Sequence, residues 1–590
     1  MNSCSVHHIR FYKPKPKAIY CMCLQPNRKL GYKLALSRSD ASIEIWNINQ
    51  SPYIERTISS NVENYTIEGL GWFQDRLFSV GLHGLLVEYS LLKLCIVNRT
   101  SVTGEAAFCL DINEKNRQIA VGTEQGYLNI FDITEDNIIF NKFLDKQEGR
   151  ILCLKYDSTG SFVISGGLDA IRIWNVSSGH ALHKMTTGRS EANNPTIVWC
   201  LAVTQDFTII SGDSRGKLTF WDGKIGAQIE SYQSHRNHIL SLCLSEDQTN
   251  LYCSGVDSNI VNFVKIQMKN GKEKWVKSIH KKIHNHDVRA LILTDGKLYS
   301  GGTDAYLALS YNQPKTLIQY PPILQNPCIT ICKEARLIML RYPKYIEVWS
   351  LGETDEVVQS TNIIPLKKEP KKLIVLQRIV KNHCGDHKKE GIIFADMSDN
   401  GKWIAYGTCL GLRVFQFIYE NDENPQLLRV ENTGDRNEVH LRGVFTPDSS
   451  QLITALSDGS IRIYDISDAS LSISRRLDCE ELTDTITFLC VSDDGSYLVA
   501  ADPASNTVVW KKNNDSWNFY CKLPKYSCAP TTMALHPTNS SLLIAYSDSK
   551  NFQNPFKNPY QRTGPNGFIL SEIFFTMYKQ IRFCFMTKTV

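Results

Sequence analysis

Three histidines lie close together at His280, His284 and His286, and imidazole nitrogens grouped in this way are potential zinc ligands. A bound zinc ion would activate water, so the first chemistry to consider is metal-assisted hydrolysis. Residues 212–216 read Gly-Asp-Ser-Arg-Gly and match the G-x-S-x-G pattern around the nucleophilic serine of some hydrolases. Whether either motif is a site depends on the elements that hold it.

The elements around both motifs repeat along the chain. Residues 149–175 alternate between apolar runs and turns, which predicts a strand, turn, strand, turn, strand order. The closing strand recurs with an aromatic residue at Trp46, Tyr89, Phe131, Trp174, Trp221 and Phe263, a spacing of 42 to 47 residues. A period of about 40 to 45 residues with four strands per unit is typical of WD-repeat β-propellers, so the sequence predicts an all-β fold.

The repeat decides how both motifs are interpreted. Strand 217–222 follows the serine motif where a nucleophilic serine needs a helix, so a β-hairpin turn is predicted instead. The turn before the closing strand often carries an acid that can accept backbone N–H bonds, at Asp40, Asp169, Asp257, Asp304 and Asp458. The resemblance to WD repeats implies that such an aspartate also pairs with a histidine ahead of the first strand, which predicts that His286 faces Asp304. His280 and His284 are placed on the preceding loop, and no metal, cofactor or catalytic residue is expected.

The units predict two propellers in tandem. Residues 1–315 hold seven units and are expected to form a seven-bladed propeller, with a strand at 6–12 as a candidate to close the ring. Residues 316–548 hold four full units and one partial unit, so the second propeller is expected to be incomplete, with a basic insertion at 351–391. Residues 549–590 form a divergent tail. The missing blades come either from a partner or are lost by truncation, and we favour truncation.

Composition sets further limits on function. The 590 residues are 42% apolar and carry a net charge of +5, which permits an acidic partner such as RNA without requiring one. The 18 cysteines are scattered singly and the N-terminus lacks the apolar core of a signal peptide, so buried reduced thiols are expected. No run of about 18 uncharged apolar residues occurs, so no membrane-spanning helix is predicted.

Several stretches of this sequence resemble the cirhin family of tandem WD-repeat proteins. They include SRSDASIEIWN (37–47), RLFSVGLHG (76–84), TIISGDSRGKLTFWD (208–222), HNHDVR (284–289) and GKWIAYGT (401–408). The resemblance runs from about residue 5 to residue 548. It implies a non-enzymatic nucleolar scaffold of the t-UTP (UTP-A) subcomplex in the small-subunit processome, which supports rDNA transcription and pre-18S rRNA processing. The implied partners are the other t-UTP proteins and the 5′ external spacer of the pre-rRNA, and no membrane.

Two basic segments are candidates to contact an RNA backbone: Lys13, Lys15 and Lys17 near the N-terminus, and Lys367, Lys368, Lys371 and Lys372 in the insertion. Solvated loops without an RNA role are the alternative for both segments. For the whole chain, the alternatives are an interaction module of another assembly, such as a ubiquitin-ligase substrate receptor, and a zinc enzyme that uses the three histidines.

Overall fold

The computed structural model describes residues 17–546 apart from 26–31, 50–51, 60–65, 189–193, 269–270, 272, 312–315, 323–327, 333, 355–365, 369, 378, 382–386, 420–423, 433–437, 468–469, 514–515 and 537–541. Regular structure in these residues consists of 51 strands without a helix. Accordingly, no described segment forms a helix of the length and apolarity that crossing a bilayer requires. The described residues divide into two compact units, Lys15–Asn49 with Ile54–Ile323, and the chain from Leu324 onward.

The first unit contains seven antiparallel four-stranded sheets, blades 1 to 7, each built from consecutive strands. Blade 1 consists of β1 (Ile19–Leu24), β2 (Lys33–Arg38), β3 (Ile43–Asn47) and β4 (Tyr53–Ile58). Blade 2 consists of β5 (Gly69–Phe73), β6 (Arg76–Val80), β7 (Leu85–Ser90) and β8 (Cys95–Ser101). Blade 3 consists of β9 (Ala107–Asn113), β10 (Gln118–Thr123), β11 (Leu128–Ile133) and β12 (Ile138–Phe143). Blade 4 consists of β13 (Cys153–Tyr156), β14 (Phe162–Gly166), β15 (Ala170–Asn175) and β16 (Ala181–Thr186), and blade 5 of β17 (Val198–Val203), β18 (Thr208–Asp213), β19 (Lys217–Asp222) and β20 (Ala227–Gln233). Blade 6 consists of β21 (Ile239–Leu244), β22 (Asn250–Gly255), β23 (Asn259–Gln267) and β24 (Glu273–Lys282). Blade 7 consists of β25 (Val288–Thr294), β26 (Lys297–Gly302), β27 (Leu307–Tyr311) and β28 (Thr316–Tyr320).

The seven blades close into a ring. The first strand of each blade packs against the first strands of its neighbours, and β1 of blade 1 packs against both β5 and β25. Leu34 and Leu36 of blade 1 share one apolar cluster with Leu307 and Leu309 of blade 7, and all four are at most 1% exposed. Each fully buried leucine contributes roughly 1.5–3 kcal/mol, so the closure is stabilised by the same burial that joins other blades.

Two predicted boundaries of the first propeller can be compared with this ring. The predicted limit at residue 315 falls just before β28, which completes blade 7, so the ring extends to Tyr320. This strand lies after the last recognisable repeat phrase, at 306–309, so the repeat pattern does not include it. The candidate closing strand at 6–12 lies outside the described residues.

Cysteine thiols and glycines form a repeated contact between blades 3 to 6. The Sγ atoms of Cys109, Cys153 and Cys200 lie 3.7, 3.4 and 3.6 Å from a carbonyl oxygen of the next blade. Burial raises the pKa of all three thiols well above the ordinary value, so they remain protonated donors. A Cβ on Gly166 would lie only 2.6 Å from Cys153 Sγ, so glycine is required opposite the thiol. The described cysteines are free thiols.

The described part of the second unit contains four complete blades, 8 to 11, and a hairpin that follows blade 11. Blades 8 and 9 consist of β29 (Ile329–Cys332), β30 (Leu337–Arg341), β31 (Ile346–Ser350) and β34 (Lys371–Leu376), then β37 (Ile392–Met397), β38 (Trp403–Thr408), β39 (Gly411–Ile418) and β40 (Gln426–Arg429). Blades 10 and 11 consist of β41 (Glu431–Asn432), β42 (His440–Phe445), β43 (Gln451–Leu456), β44 (Ile461–Ile466), β45 (Ser470–Leu477), then β46 (Phe488–Val491), β47 (Tyr497–Ala501), β48 (Thr507–Asn513) and β49 (Ser516–Lys522). The hairpin is β50 (Pro530–Leu535) with β51 (Leu542–Tyr546).

The basic insertion is partly built into blade 8. Its residues include β34, which pairs with β31 as the outer strand of the blade. The remaining strands form two small hairpins, β32 (Glu353–Thr354) with β33 (Leu366–Lys368) and β35 (Ile379–Lys381) with β36 (His387–Lys389). The insertion 351–391 therefore supplies a strand as well as connecting segments. The tail 549–590 lies outside the described residues.

Candidate interaction surfaces

Blade 7 contains a buried serine, a buried histidine and a half-buried aspartate in hydrogen-bonded order. His284 lies in the connection between β24 and β25, with its Nδ1 2.9 Å from Asp304 Oδ2 and its Nε2 2.8 Å from Ser300 Oγ. These distances resemble those of a hydrolase triad. However, Ser300 is 0% and His284 1% exposed, so no substrate can reach the hydroxyl. The arrangement holds the β26–β27 turn against the start of the blade.

The prediction that His286 faces Asp304 is wrong by two residues. His286 is exposed in the bend before β25, whereas the side chain of His284 points into the blade. The sequence His-Asn-His offered two candidates, and the position before the first strand alone did not separate them. The equivalent pair in blade 6, His235 with Asp257, is separated by 22 residues, and His284 with Asp304 by 20. The number of residues between histidine and aspartate is therefore the sequence feature that favours His284 over His286 as the partner of Asp304.

Burial and hydrogen bonding act in opposite directions on Asp304. Burial alone would raise its pKa, but hydrogen bonds from His284 and from the backbone N–H groups of Tyr306 and Asn285 hold the pKa below its ordinary value. In blade 6, Asp257 Oδ1 lies 2.6 Å from the Nδ1 atom of the buried His235. Two blades of the first unit therefore share this histidine–aspartate contact.

The other predicted turn acids bind different partners. Asp40 accepts hydrogen bonds from the N–H and hydroxyl of Ser42, at 3.2 and 2.6 Å, and Asp458 does so from Ser460, at 2.9 and 2.7 Å. Asp169 accepts the N–H of Thr196 at 2.7 Å, which joins blade 4 to the start of blade 5. These carboxylates organise turns and blade contacts.

Neither motif that suggested chemistry forms a reactive site. Ser214 lies in the hairpin between β18 and β19, and its Oγ accepts the N–H of Ile197 at 3.0 Å. A strand follows it, as predicted. His280 lies on β24 opposite Val261 of β23. Its side chain is exposed, whereas that of His284 is buried. Within the part of the chain that the structure describes, no three His, Cys, Asp or Glu side chains are grouped to hold a metal ion.

The predicted RNA-contacting lysines are only partly described. Lys17 is exposed, and its carbonyl oxygen accepts a hydrogen bond from Arg38 Nη1 at 3.0 Å. Lys371 is exposed at the start of β34. Lys372 Nζ lies 3.2 Å from Glu347 Oε1 and 5.4 Å from the centre of the Trp349 ring, so its charge is already engaged within blade 8. Lys13 and Lys15 lie outside the described residues, as do the side chains of Lys367 and Lys368.

One surface missed by the sequence reasoning lies where the innermost strands of the first unit begin. Each blade places one half-buried side chain there, directly after a buried residue: Tyr20, Glu68, Phe108, Leu152, Trp199, Leu240 and Arg289. We call these seven side chains the axial ring, because the innermost strands surround the axis of the propeller. Five of the seven are apolar or aromatic. Such a mixture suits a protein partner better than a phosphate backbone.

Contacts between blades show that members of the axial ring converge. The guanidinium carbon of Arg289 lies 4.6 Å from the centre of the Tyr20 ring. Burial raises the pKa of Glu68, and the charge of Arg289 opposes that rise. Trp199 Nε1 donates to His238 Nδ1 at 3.0 Å, and their rings stack. Within the axial ring, Arg289 therefore packs on Tyr20, whereas Trp199 is held by His238, which is not a member of the ring.

Comparison with known proteins places these observations in a family context. The profile of the WD domain, G-beta repeat family matches residues 141–175 and 432–465. The U3 small nucleolar RNA-associated protein 4 homolog of Homo sapiens is 29% identical over 573 residues, covering 94% of this chain and 80% of that protein. U3 small nucleolar RNA-associated protein 4 of Schizosaccharomyces pombe is 26% identical over 575 residues, covering 90% and 76%. The Saccharomyces cerevisiae protein of that name is 26% identical over 390 residues, covering 61% and 50%.

The chain is similar to U3 small nucleolar RNA-associated protein 4. The human and fission-yeast alignments extend over nine-tenths or more of the chain and so include both units. The WD-repeat matches and the four-stranded sheets together confirm the predicted all-β, tandem-propeller fold.

Proposed function

We propose that this chain is a non-enzymatic scaffold of ribosome biogenesis that acts in the small-subunit processome. The observation that carries the proposal is the similarity to U3 small nucleolar RNA-associated protein 4 over 94% of the chain. The finer assignment is to the t-UTP (UTP-A) subcomplex, on the 5′ external spacer of the pre-rRNA. There the chain supports rDNA transcription and pre-18S rRNA processing, in the nucleolus of the nucleus.

A scaffold role agrees with the chemistry of the described residues. The hydroxyl of Ser300 and the ring of His284 are buried, and the serine of the 212–216 motif is part of a hairpin turn. The closed first ring provides a fixed frame for exposed loops and edges, which is how rigid folds present binding surfaces. The axial ring offers an apolar surface to a protein partner. We assign it to another t-UTP protein.

A tagged pull-down from nuclear extract tests the proposal. The full 590-residue chain should recover early processome proteins together with 5′ spacer RNA. The variant Phe108→Asp with Leu240→Asp places two charges in the axial ring and should lose at least one recovered protein. The matched control, Leu92→Asp with Ile225→Asp, changes side chains that are 55% and 69% exposed elsewhere in the first unit and should recover the same set as the unmodified chain.

The alternatives give different results in the same experiment. Recovery of a ubiquitin-ligase core in place of processome proteins would support the substrate-receptor alternative. Elemental analysis of the purified chain tests the zinc enzyme, because bound zinc in stoichiometric amount would contradict a purely scaffolding role.

A further inference from the structure

The outer edge of blade 6 carries a concentrated positive charge. β24 (Glu273–Lys282) is ten residues long and reads Glu-Lys-Trp-Val-Lys-Ser-Ile-His-Lys-Lys. Among the described strands it pairs with β23 alone, which leaves its other edge without a described partner strand. The side chains of Lys274, Lys277 and Lys282 are exposed, and that of Lys281 is half-buried. At about 3.3 Å per residue, the lysines from 274 to 282 extend over roughly 26 Å.

This charge is peculiar to β24 among the outer strands of the first unit. β24 has four lysines and one glutamate, a net charge of +3. The outer strands of the other six blades carry net charges between −1 and +1, counting histidine as neutral. The net charge of the whole chain is only +5, yet this single strand carries a net charge of +3.

Backbone carbonyl oxygens hold two of the ammonium groups in position. Lys277 Nζ donates to the carbonyl oxygen of Ser234 at 3.2 Å, and Lys281 Nζ donates to that of Tyr311 at 3.3 Å. The carbonyl oxygen of Ser234 orients the Lys277 ammonium group but leaves its full charge. The acid of the strand, Glu273, is engaged by Lys265 at 2.5 Å. Among the described residues, no carboxylate lies within 4.0 Å of Lys274, Lys277 or Lys282.

We propose that β24 binds the phosphate backbone of single-stranded RNA. A polyanion is the complement of a row of exposed lysines, and lysine contacts phosphates as a point charge without reading bases. Proteins that bind single strands without sequence preference use a positively charged surface that follows the backbone in this way. The inference rests on the proposed function, since an RNA-associated assembly supplies this polymer. It places the principal RNA contact on blade 6, away from the two basic segments predicted from the sequence.

Fluorescence anisotropy of the full 590-residue chain with a labelled oligouridylate of about 20 nucleotides tests the proposal. The test variant is Lys274→Gln, Lys277→Gln and Lys282→Gln. The matched control is Lys93→Gln, Lys115→Gln and Lys525→Gln, which removes the same charge from exposed positions outside blade 6. A third variant, Lys17→Gln with Lys371→Gln, changes two lysines of the basic segments predicted from the sequence.

Each phosphate contact with single-stranded RNA contributes about −0.7 to the slope of log K against log salt. Loss of three contacts should reduce the slope by about 2 and weaken binding about a hundredfold at about 0.1 M salt. The control variant should bind like the unmodified chain. A larger loss for Lys17→Gln with Lys371→Gln than for the β24 variant would overturn the assignment.

Other results also overturn the inference while leaving the proposed function in place. These are unchanged RNA affinity of the β24 variant, or no RNA binding by an unmodified chain that still recovers processome proteins. An edge whose lysines only prevent strand addition gives either outcome. A polyglutamate of matched charge that competes as strongly as RNA would identify β24 as a site for an acidic protein. Failure to recover processome proteins is the separate result that contradicts the proposed function.

Discussion

Substitution of His284 by alanine should destabilise the first unit, whereas the same substitution at His286 should not. His284 donates or accepts at both ring nitrogens, to Asp304 and to Ser300. Each buried polar group that loses its partner costs about 1–3 kcal/mol. Asp304 keeps its hydrogen bonds from the backbone N–H groups of Tyr306 and Asn285, so the free-energy cost of losing its histidine partner falls at the low end of this range. Together with the cavity left by the imidazole, we expect about 3 kcal/mol.

Differential scanning calorimetry measures this difference in the full chain. A change of 1 kcal/mol shifts the unfolding temperature of a unit of this size by about 2 °C, so His284→Ala should lower the transition of the first unit by about 6 °C. His286 is exposed, and its replacement should cost no more than about 0.5 kcal/mol, or about 1 °C. Equal shifts for the two variants, or a larger shift for His286→Ala, would refute the placement of His284 in the blade.

Three other predictions concern packing and burial elsewhere in the chain. Gly166→Ala places a Cβ 2.6 Å from Cys153 Sγ and 2.8 Å from Val198 Cγ1, so chemical denaturation should show a loss of about 1–3 kcal/mol. Adding Cys153→Ala should recover part of this loss, and strictly additive costs would contradict the contact. Burial lowers the pKa of His440 from 6.5 to about 3, so the unfolded chain binds this proton first as the pH falls. The stabilising contribution of neutral His440 is therefore complete above about pH 6.5 and is lost toward about pH 3. The unfolding temperature of the second unit should fall less over this range in the His440→Gln variant than in the unmodified chain. Parallel pH profiles of the two chains would contradict this prediction. A chain ending at residue 322 should unfold at a higher temperature than one ending at 315, because only the longer chain retains β28 (Thr316–Tyr320); identical temperatures would show that β28 does not stabilise blade 7.

The repeat made the blades predictable, since aromatic residues such as Trp174 and Trp221 mark closing strands at a nearly constant spacing. Both are almost fully buried, which explains why the position requires a large apolar side chain. The outer strands were harder to predict because they are exposed and lack a fixed residue. The repeat pattern therefore places β28 outside the first propeller and β34 within an insertion, whereas both pair as outer strands of blades.

The interaction surfaces depend on placement that the sequence does not encode locally. Tyr20 and Arg289 lie 4.6 Å apart only because the ring closes, although they are at opposite ends of the first unit. The lysines of β24 are visible in the sequence, but only the fold shows that they lie on the outer strand of a blade. The lysines of the insertion are predicted from the sequence to contact RNA, yet Lys372 is engaged by Glu347 and Trp349 within blade 8.

Depletion of this chain in its own cells, followed by measurement of pre-rRNA species, tests the central claim most directly. A scaffold of the small-subunit processome predicts that pre-rRNA with an uncleaved 5′ external spacer accumulates. Mature 18S rRNA should fall relative to the large-subunit rRNA, and the unmodified chain should restore both. An unchanged ratio of the two mature rRNAs, with normal cleavage of the spacer, would contradict the claim.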